Sequence, residues 1–219
     1  MSLAYDPAAA IAALSKSDKA LARVIRRAGE FTMRPQRMQS VFHALLSAIV
    51  YQQLSGKAAA TILGRVLMLN DSGARVTPQQ ILDTPDEQLR AAGLSRNKLL
   101  AIKDLAQKTL DGVVPTLPKL RKLTDDEIVE RLVQVRGIGR WSVEMLLIFR
   151  LGRPDVLPVT DLGVRRGYQF TYGLDELPSL EELRVYGERW RPYRSVASWY
   201  LWRAVELGAG DATRKVVVR

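Results

Sequence analysis

Apolar residues recur along most of the chain at the three- and four-residue spacing of an amphipathic helix. Leu99, Ile102 and Leu105 are one example. Two stretches, 41–51 and 141–149, are apolar on nearly every side, which is typical of central, buried helices. Apart from three consecutive valines near the C-terminal end, no run alternates as strand residues do. The pattern predicts an all-α fold of about nine or ten helices.

Residues that favour helix ends punctuate this pattern. Four sites combine Ser or Thr with proline or glutamate in the first turn, as capped N-termini do. They are Thr77-Pro78, Thr84-Pro85 with Glu87, Thr124 with Glu127, and Ser179 with Glu182. Three glycines, Gly93, Gly112 and Gly208, stand where C-terminal caps are expected,. Ser55 is expected to cap the helix that follows Gln52-Gln53,.

The composition narrows the available chemistry. A chain of 219 residues suits one domain or two lobes of one domain,. It has no cysteine and one histidine, His43. Disulfides, thiolate zinc sites, iron–sulfur clusters, cysteine nucleophiles and multi-His metal centres are therefore excluded, and a Ser-His-Asp triad is disfavoured. The side chains that remain available for catalysis or binding carry carboxylates, hydroxyls, amides or aromatic rings.

The charge balance favours a polyanionic partner. There are 33 basic and 23 acidic residues, a formal net charge of +10, and nucleic acid is the most common partner of such a chain. Residues 131–203 include 12 arginines and no lysine, and the planar guanidinium suits phosphate. Each feature also has a simpler explanation. The net charge could serve solubility alone, and the excess of arginine over lysine could reflect a GC-rich genome.

The N-terminal 14 residues have neither a basic segment nor a sustained apolar core, so they do not form a signal peptide. No uncharged apolar run approaches the roughly 20 residues of a membrane span. We therefore expect an intracellular, cytoplasmic, soluble protein that has no membrane partner and is a monomer.

A short turn between two helices, residues 135–140, is the most informative local feature. Gly137 and Gly139 permit positive φ and a close approach by another backbone,. The amides of 137–140 lie at the N-terminus of the next helix, where the helix dipole favours an anion. Such a contact recognises phosphate and not base sequence. With arginines beside it, the turn indicates a phosphate-binding hairpin.

Residues 132–141, LVQVRGIGRW, closely resemble the helix-hairpin-helix signature of the base-excision DNA glycosylase superfamily. Residues 157–161, LPVTD, resemble the segment that carries the catalytic aspartate of that superfamily. Asp161 follows Trp141 by 20 positions, as in the 3-methyladenine DNA glycosylase II branch. Residues 51–59 resemble the QQLS helix junction of this branch.

Further blocks at 92–98, with Lys98, and at 188–195, together with Trp202, also resemble this branch. The resemblance extends from about residue 20 to 207. It implies one domain, 1–219, with two lobes and a basic cleft between them. The hairpin lobe would be about 41–153, and the second lobe about 1–40 plus 154–219. A Gly/Pro-rich crossing at 151–158 is the expected joint.

The resemblance implies that Asp161 is the catalytic residue. Cleavage of an N-glycosidic bond passes through an oxocarbenium-like sugar, which an ionised carboxylate stabilises. An alkylated purine already carries positive charge and leaves as a neutral base, so one carboxylate suffices. The alternative is that Asp161 only caps the helix 162–170, and both roles can hold.

The resemblance also assigns a pocket and a wedge. The flipped base would lie in an aromatic pocket of Trp141 and Trp202, with Met145 on the same helix face as Trp141 and with Tyr51 as a further lining residue. The wedge that fills the gap in the duplex would be Gln53, with Gln52 beside it. Ordinary core packing is the alternative for both tryptophans, and helix capping is the alternative for both glutamines.

Phosphate contacts are expected at the hairpin and at nearby arginines, although simple surface solvation is the alternative for each arginine. The candidates are Gly137, Gly139, Arg136, Arg140, Arg165 and Arg166. The family's hairpin also holds a monovalent cation, Na⁺ or K⁺, through main-chain carbonyls, which here would be those of Val133, Val135 and Gly137. No other cofactor is expected.

The predicted function is monofunctional removal of alkylated bases, chiefly 3-methyladenine and 7-methylguanine, from double-stranded DNA. Lyase-active relatives carry a Schiff-base lysine where this chain has Trp141, so strand cleavage through an imine is not expected. Two alternatives remain. One is a non-catalytic helix-hairpin-helix DNA-binding module, and the other is a glycosylase for a neutral base such as uracil.

Overall fold

Most of the helices begin immediately after a residue whose side chain caps the N-terminus. A computed structural model of the protein describes residues 3–69 and 76–216, with side chains described through residue 208. The described residues form thirteen α-helices, one π-helical turn and one 3₁₀ turn, with no strand among them. The prediction of an all-α fold is confirmed. The helices outnumber the nine or ten expected because several, such as α8, are too short to show a period.

The elements follow one another along the chain with short connections. The helices are α1 (Pro7–Ser17), α2 (Lys19–Ala28), α3 (Val41–Tyr51), α4 (Gly56–Met68), α5 (Pro78–Asp83), α6 (Asp86–Ala91), α7 (Arg96–Leu110), α8 (Leu117–Leu120), α9 (Asp125–Leu132), α10 (Arg140–Leu146), the π turn (Leu147–Leu151), α11 (Leu162–Tyr172), α12 (Leu180–Gly187), the 3₁₀ turn (Glu188–Trp190) and α13 (Arg194–Val216).

Three predicted capping sites are confirmed in full. Thr77, Thr124 and Ser179 each accept a hydrogen bond from the backbone amide three residues on, and the Gln or Glu at that position bonds back to the cap amide. Ser55 caps α4 as expected. Gly93 and Gly112 follow α6 and α7 with φ of 108° and 78°, the left-handed conformation in which glycine ends a helix.

Two predicted helix ends are wrong. Thr84 does not cap α6, because its hydroxyl donates back to the Gln80 carbonyl at 2.6 Å and so closes the end of α5. Gly208 does not end a helix, since α13 continues to Val216. A Cβ at Gly208 would lie 3.4 Å from the Phe170 ring, which is an ordinary contact distance. The last two of the three consecutive valines lie outside the described residues.

The chain divides into two compact units, one of residues 37–143 and one that joins residues 1–36 to residues 144–219. The sequence placed the two crossings at about 41 and 153. The second crossing in the structure falls within α10, ten residues before the predicted boundary at 153. Gly152 belongs to the larger unit, where a Cβ would lie 2.8 Å from the Pro35 ring.

The unit of residues 37–143 is built around α3 and α7. Helix α3 packs on α4 and α7, and α5 also packs on α7. Six apolar side chains of α3 are buried, which confirms that 41–51 is a central helix. The stretch 141–149 is buried in its second half, but Trp141 at its start is 46% exposed.

The unit of residues 1–36 and 144–219 is built around α13. Helix α13 packs on α11 and α2, and α1 packs on α2. Tyr200 and Trp190 are among its fully buried side chains. Asp18 is also buried, and it accepts hydrogen bonds from the Trp190 indole at 3.0 Å and from Tyr172. Burial raises the pKa of Asp18, but the Leu21 amide and these side-chain donors outweigh that effect and lower the pKa overall.

Candidate active site

Asp161 lies immediately before α11 and is its N-cap. Its Oδ1 accepts hydrogen bonds from the Val164 amide and from the Trp202 indole Nε1, each at 2.8 Å. Because two donors from different helices reach the same oxygen, they set the direction of the half-buried carboxyl group. The positive end of the α11 dipole lies beside the group and favours its negative charge. Asp161 therefore caps the helix, as one interpretation of the sequence predicted.

The segment that leads to Asp161 is anchored by backbone hydrogen bonds. The Asp161 amide donates to the Pro158 carbonyl at 2.9 Å. Further back, the Val156 amide donates to the Ser195 hydroxyl at 3.0 Å, while the Ser195 amide donates to the Pro154 carbonyl at 2.9 Å. Ser195 is fully buried. This ties the approach to Asp161 to the start of α13, the helix that carries Trp202.

Two glycines let α11 approach α13 at very short range. A Cβ at Gly167 would lie 1.9 Å from the Leu201 carbonyl oxygen, and a Cβ at Gly163 would lie 2.7 Å from the Trp202 ring. No side chain fits at either position without movement of α13 or of the indole. Since Gly163 and Gly167 are one turn apart, they form one face of α11. That face sets the distance at which Trp202 meets Asp161.

The Trp202 indole is also supported from the π turn. The Phe149 ring stacks on it, with centroids 5.5 Å apart and planes inclined by 29°. Phe149 lies within Leu147–Leu151, where the helix widens. Single π-helical turns occur often at functional sites, and here the turn carries the ring that packs against Trp202. Trp202 is thus fixed by a hydrogen bond at its edge and a ring on its face.

The predicted hairpin is a tight turn in the other unit. Gly137 has φ of 79°, and a Cβ there would lie 3.4 Å from the Ala101 side chain of α7. The Ile138 amide donates to the Val135 carbonyl at 3.0 Å, which closes the turn. Helix α10 then begins at Arg140. Gly137 has the positive φ that the sequence predicted. The predicted close approach of another backbone is wrong, because a Cβ at Gly137 would meet only the Ala101 methyl group at an ordinary contact distance, and a Cβ at Gly139 would meet no atom within 4 Å. Gly139 also does not have positive φ.

Charged side chains of α7 hold the hairpin. Asp104 Oδ2 accepts a hydrogen bond from the Arg136 amide at 2.7 Å and an ion-paired one from Lys108 Nζ at 2.9 Å. Lys108 Nζ also donates to the Gln134 carbonyl. The backbone on both sides of Val135 is therefore fastened to α7 through charged groups, and hydrogen bonds of this kind are stronger than neutral ones.

The turn after α3 carries both glutamines assigned to the wedge. Gln52 Nε2 donates to the Gly137 carbonyl at 2.8 Å, while the exposed Gln53 has φ of 55°. Lys98 Nζ donates to the carbonyls of Val50 and Gln52, each at 2.7 Å. Burial of Lys98 lowers the pKa of its ammonium group. The wedge turn, residues 52–54, and the hairpin thus contact each other within one unit.

The structure distributes the predicted pocket residues between the two units. Trp141 is 46% exposed and Tyr51 is 43% exposed, and both belong to residues 37–143. Met145 is half-buried and belongs with Trp202 and Asp161 to the other unit. Of the predicted site residues, the structure joins Asp161 directly to Trp202, and Gln52 directly to Gly137.

The predicted phosphate-contact arginines have different surroundings. Arg165 donates through Nε and Nη2 to the Pro178 carbonyl, at 3.1 and 2.7 Å. Its guanidinium therefore ties α11 to the segment before α12. Arg136, Arg140 and Arg166 are exposed, and the Arg136 backbone is the part that Asp104 holds.

Two of the three carbonyls expected to hold a monovalent cation, those of Val135 and Gly137, belong to the hairpin, and the third, of Val133, belongs to the C-cap of α9. The Val135 carbonyl accepts from the Ile138 amide, and the Gly137 carbonyl accepts from Gln52. A carbonyl oxygen has two lone pairs, so these hydrogen bonds leave each oxygen one lone pair with which it could bind a cation. Val133 is exposed at the end of α9. Among the described residues, no group of three or more His, Asp or Glu side chains could hold a metal ion.

Sequence reasoning missed several residues that shape the site. Asp104 and Lys108 show only an ordinary helical spacing, and their partners on the hairpin are 26 to 32 residues away. Gly163 and Gly167 are separated by one turn, which could have marked a close helix crossing.

Within the described residues, no helix is long and apolar enough to cross a membrane.

Comparisons with known proteins identify the family of the chain. The family described as HhH-GPD superfamily base excision DNA repair protein matches residues 46–192. A curated relative from Schizosaccharomyces pombe, DNA-3-methyladenine glycosylase 1, is 37% identical over 206 residues, which cover 93% of this chain and 89% of the relative.

Two solved structures are also similar. A crystal structure of DNA-3-methyladenine glycosidase from Bacillus halodurans has a TM-score of 0.83 and 36% identity, covering 94% of this chain and 92% of that one. The S. pombe 3-methyladenine DNA glycosylase in complex with abasic DNA has a TM-score of 0.75 and 38% identity, covering 89% and 95%. The resemblance found in the sequence is therefore confirmed, and the chain belongs to the HhH-GPD superfamily of base excision DNA repair proteins.

Proposed function

We propose that the protein is a monofunctional DNA glycosylase that hydrolyses the N-glycosidic bond of alkylated bases in double-stranded DNA. The observation that carries this proposal is the Asp161 carboxyl group, which is held by a helix amide and an indole N–H on one oxygen. A carboxylate fixed in advance can stabilise charge that develops in a transition state without reorganising. In a module that only binds DNA, this group would serve helix capping alone.

The relatives support the substrate class. Those compared above are named for 3-methyladenine, and this chain spans about nine-tenths of the length of each. We therefore take 3-methyladenine and 7-methylguanine as the chief substrates. The S. pombe structure contains abasic DNA, which is the product that a glycosylase leaves.

The first step of the proposed mechanism takes the damaged base out of the duplex. Flipping costs a few kcal/mol, because stacking and pairing are lost. Gln53 would fill the gap from the wedge turn, with Gln52 holding that turn against the hairpin. The hairpin amides at Gly137 and Gly139 would bind the DNA backbone and so recognise phosphate in any sequence.

The base pocket is proposed to use indole faces. An N-alkylated purine is cationic, and cation–π attraction to an indole contributes about 0.5–2 kcal/mol. The exposed Trp141 is the main candidate, with Tyr51 and Met145 as further lining residues. Trp202 has a second role, since its Nε1–H is bound to Asp161.

Bond cleavage is proposed to use the negative charge of Asp161. As the C1′–N bond lengthens, positive charge develops on the sugar, and the carboxylate stabilises it. The alkylated base leaves with the bonding electrons and becomes neutral, so no second acid is needed. Water adds at C1′ and releases a proton to solvent. Trp141 stands where lyase-active relatives have lysine, so the abasic strand would stay intact.

Other contacts are proposed to add affinity for the DNA backbone. Arg136, Arg140 and Arg166 have exposed positions suited to phosphate, whereas the Arg165 guanidinium is bound to Pro178. A monovalent cation on the carbonyls of Val133, Val135 and Gly137 would supply positive charge at the hairpin. We further propose that the enzyme acts as a cytoplasmic monomer on chromosomal DNA.

The proposal is tested by incubation of the protein with methylated duplex DNA, followed by identification of the free bases. We expect release of 3-methyladenine and 7-methylguanine and no strand cleavage. The matched variant Asp161→Asn keeps the size of the side chain and its capping oxygen. It should bind DNA normally but release bases about 10²–10³-fold more slowly, which is typical when an electrostatic stabiliser is removed.

Each other outcome would point to a different function or mechanism. Binding without release of any base would support the non-catalytic module. Release of uracil, but not of methylated bases, would support a glycosylase for neutral bases. Normal base release by Asp161→Asn would remove Asp161 from the mechanism.

A further inference from the structure

The end of α3 has an unusual termination. The last carbonyls of a helix lack partners within the helix, and a glycine in the left-handed conformation commonly completes such an end. The turn after α3 has no glycine until Gly56. Instead, Gln53 takes φ of 55°, and it is the sole non-glycine residue with positive φ among the described residues. A residue with a Cβ is strained in this conformation, because the Cβ lies too close to the following carbonyl oxygen.

Lys98 supplies the missing partners. Its ammonium group donates to the Val50 and Gln52 carbonyls at 2.7 Å each. A positive charge at a helix C-terminus is also favoured by the helix dipole. Lys98 is itself well placed, since it lies in the first turn of α7 and its amide donates to the capping Ser95 hydroxyl at 3.3 Å. The peptide that precedes Gln53 is therefore held from α7.

The same helix also defines the position of the hairpin. Ala101, one turn after Lys98, lies against Gly137, and Asp104 binds the Arg136 amide at 2.7 Å. Gln52 then connects the two turns directly through the Gly137 carbonyl. One face of α7 thus holds both the turn assigned to the wedge and the turn assigned to phosphate.

We propose that Lys98 is a positioning residue for base flipping: it holds the Gln52 peptide so that Gln53 is presented in its left-handed conformation, ready to enter the duplex. The proposal rests on the glycosylase function and the wedge role given above. Lys98 acts through Gln53 and touches neither the base nor the sugar. Strain at Gln53 is tolerated because Lys98 and Gln52 fix the backbone on its N-terminal side.

The alternative is that Lys98 is a phosphate contact. The two roles differ in what they predict. Loss of a phosphate contact weakens binding to every duplex and lowers the salt slope of binding by about one unit. Loss of a positioning residue leaves the salt slope unchanged and slows excision mainly where the base must be unpaired and unstacked.

The experiment compares single-turnover release of 7-methylguanine from two duplexes, one with cytosine opposite the lesion and one with an abasic site opposite it. For Lys98→Met, we expect about a tenfold loss of rate on the paired lesion and less than about a threefold loss on the unpaired lesion, because less flipping work remains there. Fluorescence of 2-aminopurine beside the lesion should report less unstacking in the paired duplex.

Two further variants make the result specific. Lys103→Met removes the same charge from the same helix, where Lys103 pairs with Asp86 at 2.6 Å, and it should leave both rates unchanged. The double variant Lys98→Met/Gln53→Ala should excise no more slowly than Gln53→Ala alone, because Lys98 acts through Gln53. Lys98→Arg should retain most of the activity.

Equal losses on the two duplexes, additive effects in the double variant, or a smaller salt slope would overturn the proposal. If Lys98→Met melts below the assay temperature, Lys98→Gln, which keeps one donor, is used with the same criteria. Failure of the glycosylase function itself would be distinct, since the unmodified protein would then release no base from either duplex.

Discussion

The wedge turn and the hairpin are held by long side chains that reach from α7, whereas Asp161 and Trp202 are held by two helices in backbone contact. In the first region, Lys98 and Asp104 bind backbone atoms 32 to 48 residues away. In the second, Gly163 and Gly167 bring α11 against α13 so closely that a Cβ has no room. The two regions thus use different physical means to place a functional group.

The difference matches what each region is proposed to do. The wedge turn and the hairpin depend on charged side chains of α7, whose hydrogen bonds to the backbone are stronger than neutral ones,. Contact between close-packed helices cannot shift without a large cost. A carboxylate that must be in place before charge develops benefits from the rigid arrangement. A wedge needs an exposed tip, and Lys98 and Gln52 hold the turn while Gln53 stays exposed.

Replacement of Gly167 should have the largest effect on this comparison. In Gly167→Ala, the new Cβ would meet the Leu201 carbonyl, which belongs to the backbone and cannot rotate away. We expect the free energy of unfolding to fall by about 3 kcal/mol, at the upper end of overpacking effects. Urea denaturation measures this change in the free energy of unfolding.

The matched control for Gly167→Ala is Gly64→Ala in α4, where a Cβ meets no atom within 4 Å. This control should increase stability by up to about 1 kcal/mol, because alanine favours a helix more than glycine does. Similar changes in the two variants would contradict the close-contact explanation.

Replacement of Trp202 should have an intermediate effect. Trp202→Phe keeps an aromatic ring but removes the Nε1–H that donates to Asp161 at 2.8 Å. A hydrogen bond to a charged group contributes about 1.5–3 kcal/mol, so base release in single turnover should slow at least about tenfold while DNA affinity stays the same. Trp199→Phe, on the same helix but packed on Phe31, is the control and should leave the rate unchanged. An unchanged rate in Trp202→Phe would show that the indole does not orient Asp161.

Replacement of Asp104 should have the smallest effect. The direction of the change in DNA affinity distinguishes a positioning role from a purely electrostatic one. Asp104→Asn removes the charge that binds the Arg136 amide and Lys108, and we expect the dissociation constant for undamaged duplex to rise about threefold to fivefold. Coulomb's law alone predicts the opposite, because loss of a negative charge favours DNA. Asp111→Asn, at the end of the same helix, is the control and should follow Coulomb's law. Tighter binding by Asp104→Asn would contradict a positioning role. Fluorescence anisotropy at fixed salt measures the dissociation constants of both variants for undamaged duplex.

The local sequence determined much of the fold and part of the site. Periodicity predicted α3 and α7, and the caps at Thr77, Thr124 and Ser179 were correct because a capping residue and its partner are only three residues apart. Of the two hairpin glycines, Gly137 was read correctly, since positive φ is a local property, whereas Gly139 does not have the predicted positive φ. Thr84 was read wrongly, because its hydroxyl had a competing local partner in Gln80.

Tertiary structure alone decided how the site is held. The Trp202 indole meets Asp161 across 41 residues, and Lys98 meets the end of α3 across 46 to 48. No spacing in a sequence specifies such pairs, because they depend on how α11 crosses α13 and how α7 crosses α3. Residue type and near neighbours thus determined which groups are available and which turns can form. Helix packing determined which of those groups meet, since contacts between distant segments form only when the apolar faces of the helices are buried together.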